Sequence, residues 1–218
     1  GLDPEYYVKL SKLVAKNDTV LIQDGHTLYH HSLIVSETGK WGIIQQGMNL
    51  ETKLARRYHW SGGIEEKSEI ISGHKQKVAI DATPPEKQKL RELLVDLVNE
   101  RPTKVLSEYK KARAILEGYV PLDSYVNSYK VKVSKELKMI YLRPVDERRI
   151  QTVLQGLYEA APRSMEEVLL NGLGPSTARA LYLIADLIYN EPPSYEDPVK
   201  VPYDPLKYAL AYGGKDGA

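Results

Sequence analysis

Residues 29–49 read YHHSLIVSETGKWGIIQQGMN. Two runs rich in β-branched and aromatic residues, 28–35 and 41–47, flank a turn containing Gly39, and this pattern predicts a β-hairpin. With an odd-length loop over residues 36–40, Val35 pairs with Trp41, which sets His31 opposite Gln45 and His30 opposite Gln46. A four-residue loop shifts the partners by one and swaps those pairs. In either register a histidine faces a glutamine on both sides of the ribbon. One face, with Tyr29, Leu33, Val35, Trp41 and Ile43, reads as core; the other carries Ser32, Ile34 and Ile44 and reads as partly buried.

Outward from the hairpin, a β-rich block is expected over residues 20–71, as part of a twisted antiparallel sheet between about 20 and 80. Asp3 caps and Pro4 opens a preceding helix to about Lys16, with Leu10, Leu13 and Val14 at helical spacing. Thr83, Pro84 and Pro85 start a helical part that runs to Asn190, through segments 85–99 and 103–117 and again from Pro144. Between them, residues 121–139 contain YKVKVSKELK, whose alternating lysines leave a short strand open. The tail, residues 191–218, is rich in Pro, Tyr and Gly and reads as irregular surface chain. The fold class is therefore α+β: an amino-terminal antiparallel sheet unit over 1–80, then an all-helical unit over 81–190.

The most specific motif is SMEEVLLNGLGPSTARALYLIADLIY, residues 164–189. Ser164 and Glu167 form a capping box, Gly172-Leu173-Gly174 makes the turn, and Pro175 opens a second helix that turns Ala178, Leu181, Ile184 and Ala185 inward. This resembles a helix-hairpin-helix motif. Two glycines let the backbone approach a ligand closely, and the free amides that open the second helix favour an anion such as a DNA phosphate. Gly172, Leu173, Gly174, Ser176, Thr177 and Arg179 are the candidate DNA-binding residues, and such contacts carry no base information. A purely structural hairpin is the competing reading.

Composition bounds the rest. The 218 residues include no cysteine, so there is no disulfide framework and any metal is held by nitrogen and oxygen ligands. No run approaches a membrane span and no secretion signal opens the chain, which predicts a cytoplasmic protein. The net charge of +1 leaves nucleic-acid binding to local patches. Tyrosine occurs 16 times, phenylalanine is missing, and charged residues make up 27% of the chain, a balance shared with thermophile proteins.

All five histidines, His26, His30, His31, His59 and His74, fall in the β-rich third. QDGH precedes the hairpin and ARRYHW follows it, adding Asp24, Arg56 and Arg57. That inventory suits phosphodiester chemistry. Asp24 with one or two histidines, His30 and His31, can hold a divalent metal, Mg²⁺ or Mn²⁺, His30 or His31 can instead serve as general base, Arg56 and Arg57 can clamp phosphate, and Gln45 and His59 complete the candidate catalytic set. Carboxylates are few for a nuclease, and no H-E-x-x-H or P-loop is present.

The stretch VLIQDGHTLYHHSLIVSETGKWGIIQQGMNLETKLARRYHW, with GLGPSTARALYLIADLIYNEPPSYEDPVK and GGKDG near the carboxyl end, is similar to the archaeal and thermophile family labelled domain of unknown function 763. The resemblance implies that the two motif blocks belong together. It also implies a further amino-terminal region with a His-Gly-Gly motif, so the chain is expected to be a fragment. Three functions stand as expectations: a metal-dependent nuclease of DNA processing or repair, a non-catalytic DNA-binding module, or a helix-hairpin-helix DNA glycosylase. For the last, Ser176 stands where lyase members of that class carry a lysine, and Asp197 is the remaining acid.

Overall fold

The computed structural model describes residues 2–62, 67–119 and 134–202. These form a mixed α/β protein with seven α-helices and an antiparallel sheet, and the chain divides into two compact units. Asp3–Asp24 and Lys77–Asp197 make one; Gly25–Gln76, with residues 198–202, belong to the other. The division differs from a cut at residue 80, because the first helix groups with the later helices and the chain beyond Pro198 groups with the sheet.

In the helical unit, α1 (Pro4–Lys16) opens as expected, with the Asp3 carboxylate accepting from the Glu5 N–H at 3.0 Å. Residues 20 and 21 are not strand. Asn17–Leu21 continue α1 as one turn of π-helix, which buries Val20 and Leu21, and β1 (Ile22–Gln23) follows. β1 pairs only with β6 (Ile80–Asp81), in a two-stranded ribbon separate from the main sheet. Arg91 tethers the next corner, donating to the carbonyls of Ala82 and Pro84. Then come α2 (Gln88–Val98), α3 (Pro102–Glu117), α4 (Lys135–Tyr141), α5 (Glu147–Ala160), α6 (Met165–Leu170) and α7 (Pro175–Leu187). The alternating-lysine segment lies mostly outside the described residues, and its last part is α4.

Helix α7 sits at the centre. Ala178, Leu181, Ile184 and Ala185 are buried as their spacing requires, and so are Ala180, Tyr182 and Leu183, so the helix is enclosed nearly all round. It packs on α2, α3, α4, α5 and the π turn. Each fully buried leucine or isoleucine there contributes about 1.5–3 kcal/mol. The Tyr182 hydroxyl, inside this core, is satisfied by the Val20 carbonyl at 2.9 Å.

In the sheet unit the strand order is β2 (Thr27–Val35), β3 (Trp41–Met48), β4 (Ala55–Gly62), β5 (Lys67–Gly73), β7 (Val201–Pro202). Only the short β5–β7 contact is parallel. The hairpin loop has five residues: Val35 pairs with Trp41, His31 with Gln45 and His30 with Gln46. Ser36 closes it, its N–H donating to the Lys40 carbonyl at 2.8 Å, while Gly39 takes φ +81°. Along β3 burial alternates strictly, with Trp41, Ile43, Gln45 and Gly47 inside. Two residues depart from the expected faces: a bulge between Leu28 and His30 turns Tyr29 to the outer side, where it is 58% exposed, and Ile34, expected to be partly buried, is 61% exposed. The tail is not merely surface chain either. Ser194 bridges to Asp81, and Asp197 and Val199 are buried. Residues beyond 202 lie outside the described residues.

Candidate nucleic-acid interface

The turn between α6 and α7 is built by its neighbours. Ser164 Oγ accepts from the Glu167 N–H at 3.2 Å, and the Glu167 carboxylate reaches back to the Arg163 N–H at 2.7 Å, one residue earlier than a capping box requires. Helix α6 stops because Gly172 enters the left-handed region at φ +104°, which drops Leu173 fully into the core. Gly174 is extended at φ −109° and forms the N-cap of α7, where Pro175 is the first helical residue and no side chain caps the helix. A Cβ at Gly172 or Gly174 would meet no atom within 4 Å. The first therefore needs glycine for its backbone angle. At Gly174 the chain itself imposes no such need.

Two carbonyls at this turn are drawn back to the protein. Leu173 accepts from Lys16 Nζ at 2.7 Å, and Pro175 accepts from Gln23 Nε2 at 2.9 Å. Burial lowers the Lys16 pKa. With those carbonyls satisfied internally, the α7 end presents amides and the positive end of the helix dipole. Of the side chains expected to touch phosphate, Leu173 and Thr177 are buried, so only their backbone groups can contribute. Ser176 is half-buried. Arg179 is not on an exposed turn: its guanidinium is largely buried near Arg143 and Tyr109, and burial lowers its pKa.

The sheet unit sorts the second set of candidates onto two faces. Inside, the fully buried Gln45 accepts from His31 Nδ1 at 2.7 Å, and Tyr58 lies beside Gln45 in register. Arg56 is also inside, only 1% exposed, with Nη2 donating to the His74 carbonyl at 2.9 Å, so it is spent on holding β5's exit and does not face a phosphate. Outside, one transverse row holds His30, Gln46, Arg57 and Ser72, and the next holds Ser32, Ile44, His59 and Ile70. His30, Arg57 and His59 are exposed; Ser32 Oγ lies 2.9 Å from His30 Nε2, and the Tyr29 hydroxyl donates to Gln46 at 2.8 Å. Asp24, buried, ends a segment of the helical unit, whereas both histidines belong to the sheet unit. Among the described residues no three His, Asp or Glu side chains are grouped to hold a metal.

One polar network escaped the sequence. Tyr141 on α4 and Tyr195 share a hydrogen bond of 2.8 Å, and Tyr195 donates to Asp186 near the end of α7. Burial raises the pKa of all three. This chain pins residues 191–197 to the helices. The one signal for it is a tyrosine-rich chain without phenylalanine, in which buried rings bring hydroxyls that need partners.

A helical unit whose last described helix opens at an uncapped glycine turn and a separate unit built on an antiparallel sheet make this a mixed α/β protein. The chain belongs to the family described as Protein of unknown function (DUF763), whose family model matches residues 1–218. No curated protein and no solved structure matches it. Among the described residues no helix is long and apolar enough to cross a membrane.

Proposed function

We propose that this protein binds the DNA backbone without sequence preference, as part of DNA processing or repair, with α6, the glycine turn and α7 acting as a helix-hairpin-helix. The observation that carries the reading is the start of α7: a glycine N-cap facing open space, no side-chain cap, and the neighbouring carbonyls already satisfied by Lys16 and Gln23. The family's archaeal and thermophile setting and a cytoplasmic location belong to the same proposal. Fluorescence anisotropy of a labelled duplex at two salt concentrations is the test. Binding is expected to weaken steeply as salt rises, because phosphate contacts release counterions. Binding that ignores salt, or that Gly174→Ser leaves untouched, discards the reading.

A second reading, cleavage of the bound strand by the sheet unit, is favoured by the exposure of His30, Arg57 and His59 on one face. Labelled single- and double-stranded DNA incubated with Mg²⁺ or Mn²⁺ tests it. Cleavage lost in His59→Ala and Arg57→Ala, with folding retained, supports it; no cleavage by the parent chain removes it. The glycosylase reading has less to stand on, since its remaining acid, Asp197, is buried.

A further inference from the structure

Arg179 on α7 has Arg143 and Tyr109 near its guanidinium, and Tyr109 in turn holds Arg113. Tyr109 and Arg113 lie a turn apart on α3, which packs on α7, and Arg113 Nη1 donates to the Tyr109 hydroxyl at 3.5 Å. Arg143 follows α4, which also packs on α7, and its N–H is held by the Ile140 carbonyl. Arg179 comes from the second turn of α7. Arg113 has its acid, Glu117, at 3.3 Å.

The other two have none among the described residues. Arg179 Nε is buried with no hydrogen-bond partner, and Arg143, a like charge beside that guanidinium, lowers its pKa further. Burying one guanidinium beside another without an acceptor works against the fold, so the arrangement calls for an anion that the described residues do not supply. Ser176 and Arg179, three residues apart, share a face of α7 about 4.5 Å apart along its axis. We infer that Arg143 and Arg179 form a second phosphate-binding site, beside the glycine turn, which takes a further phosphate of the strand held by the α7 amides. Guanidiniums suit this role because their forked donors match phosphate oxygens two at a time. The DNA assignment rests on the backbone-binding reading above; the anion site rests on the two arginines.

The experiment uses the full chain and Arg143→Gln, a substitution at an exposed position. Thermal melts are taken with and without inorganic phosphate, and duplex affinity is followed over a salt series. Without phosphate, Arg143→Gln is expected to melt no lower than the parent, because it relieves repulsion. Phosphate raises the melting temperature of the parent only, and the variant's logarithmic salt slope is shallower by about 0.9, the loss of one phosphate contact. A lower melting temperature with an unchanged phosphate response and salt slope makes Arg143 structural and overturns the site. A phosphate response that depends on Arg143 beside an unchanged DNA slope overturns the DNA assignment, and a small phosphate compound becomes the ligand. Gly174→Ser separates the two readings: if it weakens DNA binding while Arg143→Gln does not, the turn stands and the second site falls.

Discussion

Lys16, the last residue of α1, donates from Nζ to the carbonyl of Leu173 at 2.7 Å, and Leu173 is the residue between the two glycines of the α6–α7 turn. The first helix thus fixes the backbone of a loop near the other end of the chain. Lys16→Met is expected to cost about 1–2 kcal/mol, the worth of a charged hydrogen bond at a part-buried site, and to weaken duplex binding several-fold by loosening the turn. Lys12→Met, exposed on the same helix, is the control. Equal melting temperatures for the two variants would show that the Lys16 contact holds nothing.

The two turn glycines should part company under substitution. Gly172→Ala forces a side chain into the left-handed region and is expected to cost about 1–2 kcal/mol. Gly174→Ser meets open space and supplies the missing N-cap, so it should stabilise by a few tenths of a kcal/mol while its hydroxyl takes the amides that a phosphate would use. Thermal melts check the first difference and anisotropy the second. A Gly174→Ser protein that melts lower than Gly172→Ala would contradict the backbone geometry.

Asp186 gives a pH dependence of definite sign. Burial holds its carboxyl above the ordinary range, against the Tyr195 hydrogen bond, which favours the charged form. Between the ordinary carboxylate value and the raised one, the native chain keeps a proton that the unfolded chain has lost. Its contribution is fully present below the unfolded pKa and falls away as pH rises through the folded one. Asp186→Asn removes that term and still accepts from Tyr195. Melting curves at about pH 4 and about pH 7 should therefore show the parent losing more stability, relative to the variant, at the higher pH. The same loss in both would assign the dependence elsewhere.

Gln45 and His31 are partners of unequal weight. Gln45 is fully buried and His31 is exposed, so water can replace one partner but not the other. Gln45→Ala is expected to cost about 2–3 kcal/mol, from a cavity and a lost acceptor, against less than about 1 kcal/mol for His31→Ala. Urea denaturation of the two variants measures the ratio.

The hairpin was legible because its information is local: a five-residue loop and alternating apolar residues settle the register of His31 and Gln45. The bulge at Tyr29 was not, since no glycine or proline marks it and one extra residue on an edge strand costs the pattern nothing visible. Arg56 reads as a surface cation until its burial and its bond to the His74 carbonyl are seen. Tyr141, Asp186 and Tyr195 come from three separated segments, and only folding assembles them. For α7 the spacing identified the buried face, but not that Arg179 would be drawn to its side.

Strands β2 to β5 of the sheet unit come from within the chain that builds the helical unit, whose own segments are Asp3–Asp24 and Lys77–Asp197. During synthesis α1 must wait for α7 before Lys16 can meet Leu173, whereas β2 to β5 pair with immediate neighbours. Closing that long loop is slow, while adjacent hairpins close fast. The sheet is thus expected to form before α1 meets the α6–α7 turn, and the turn that would hold a phosphate is among the later pieces to take shape.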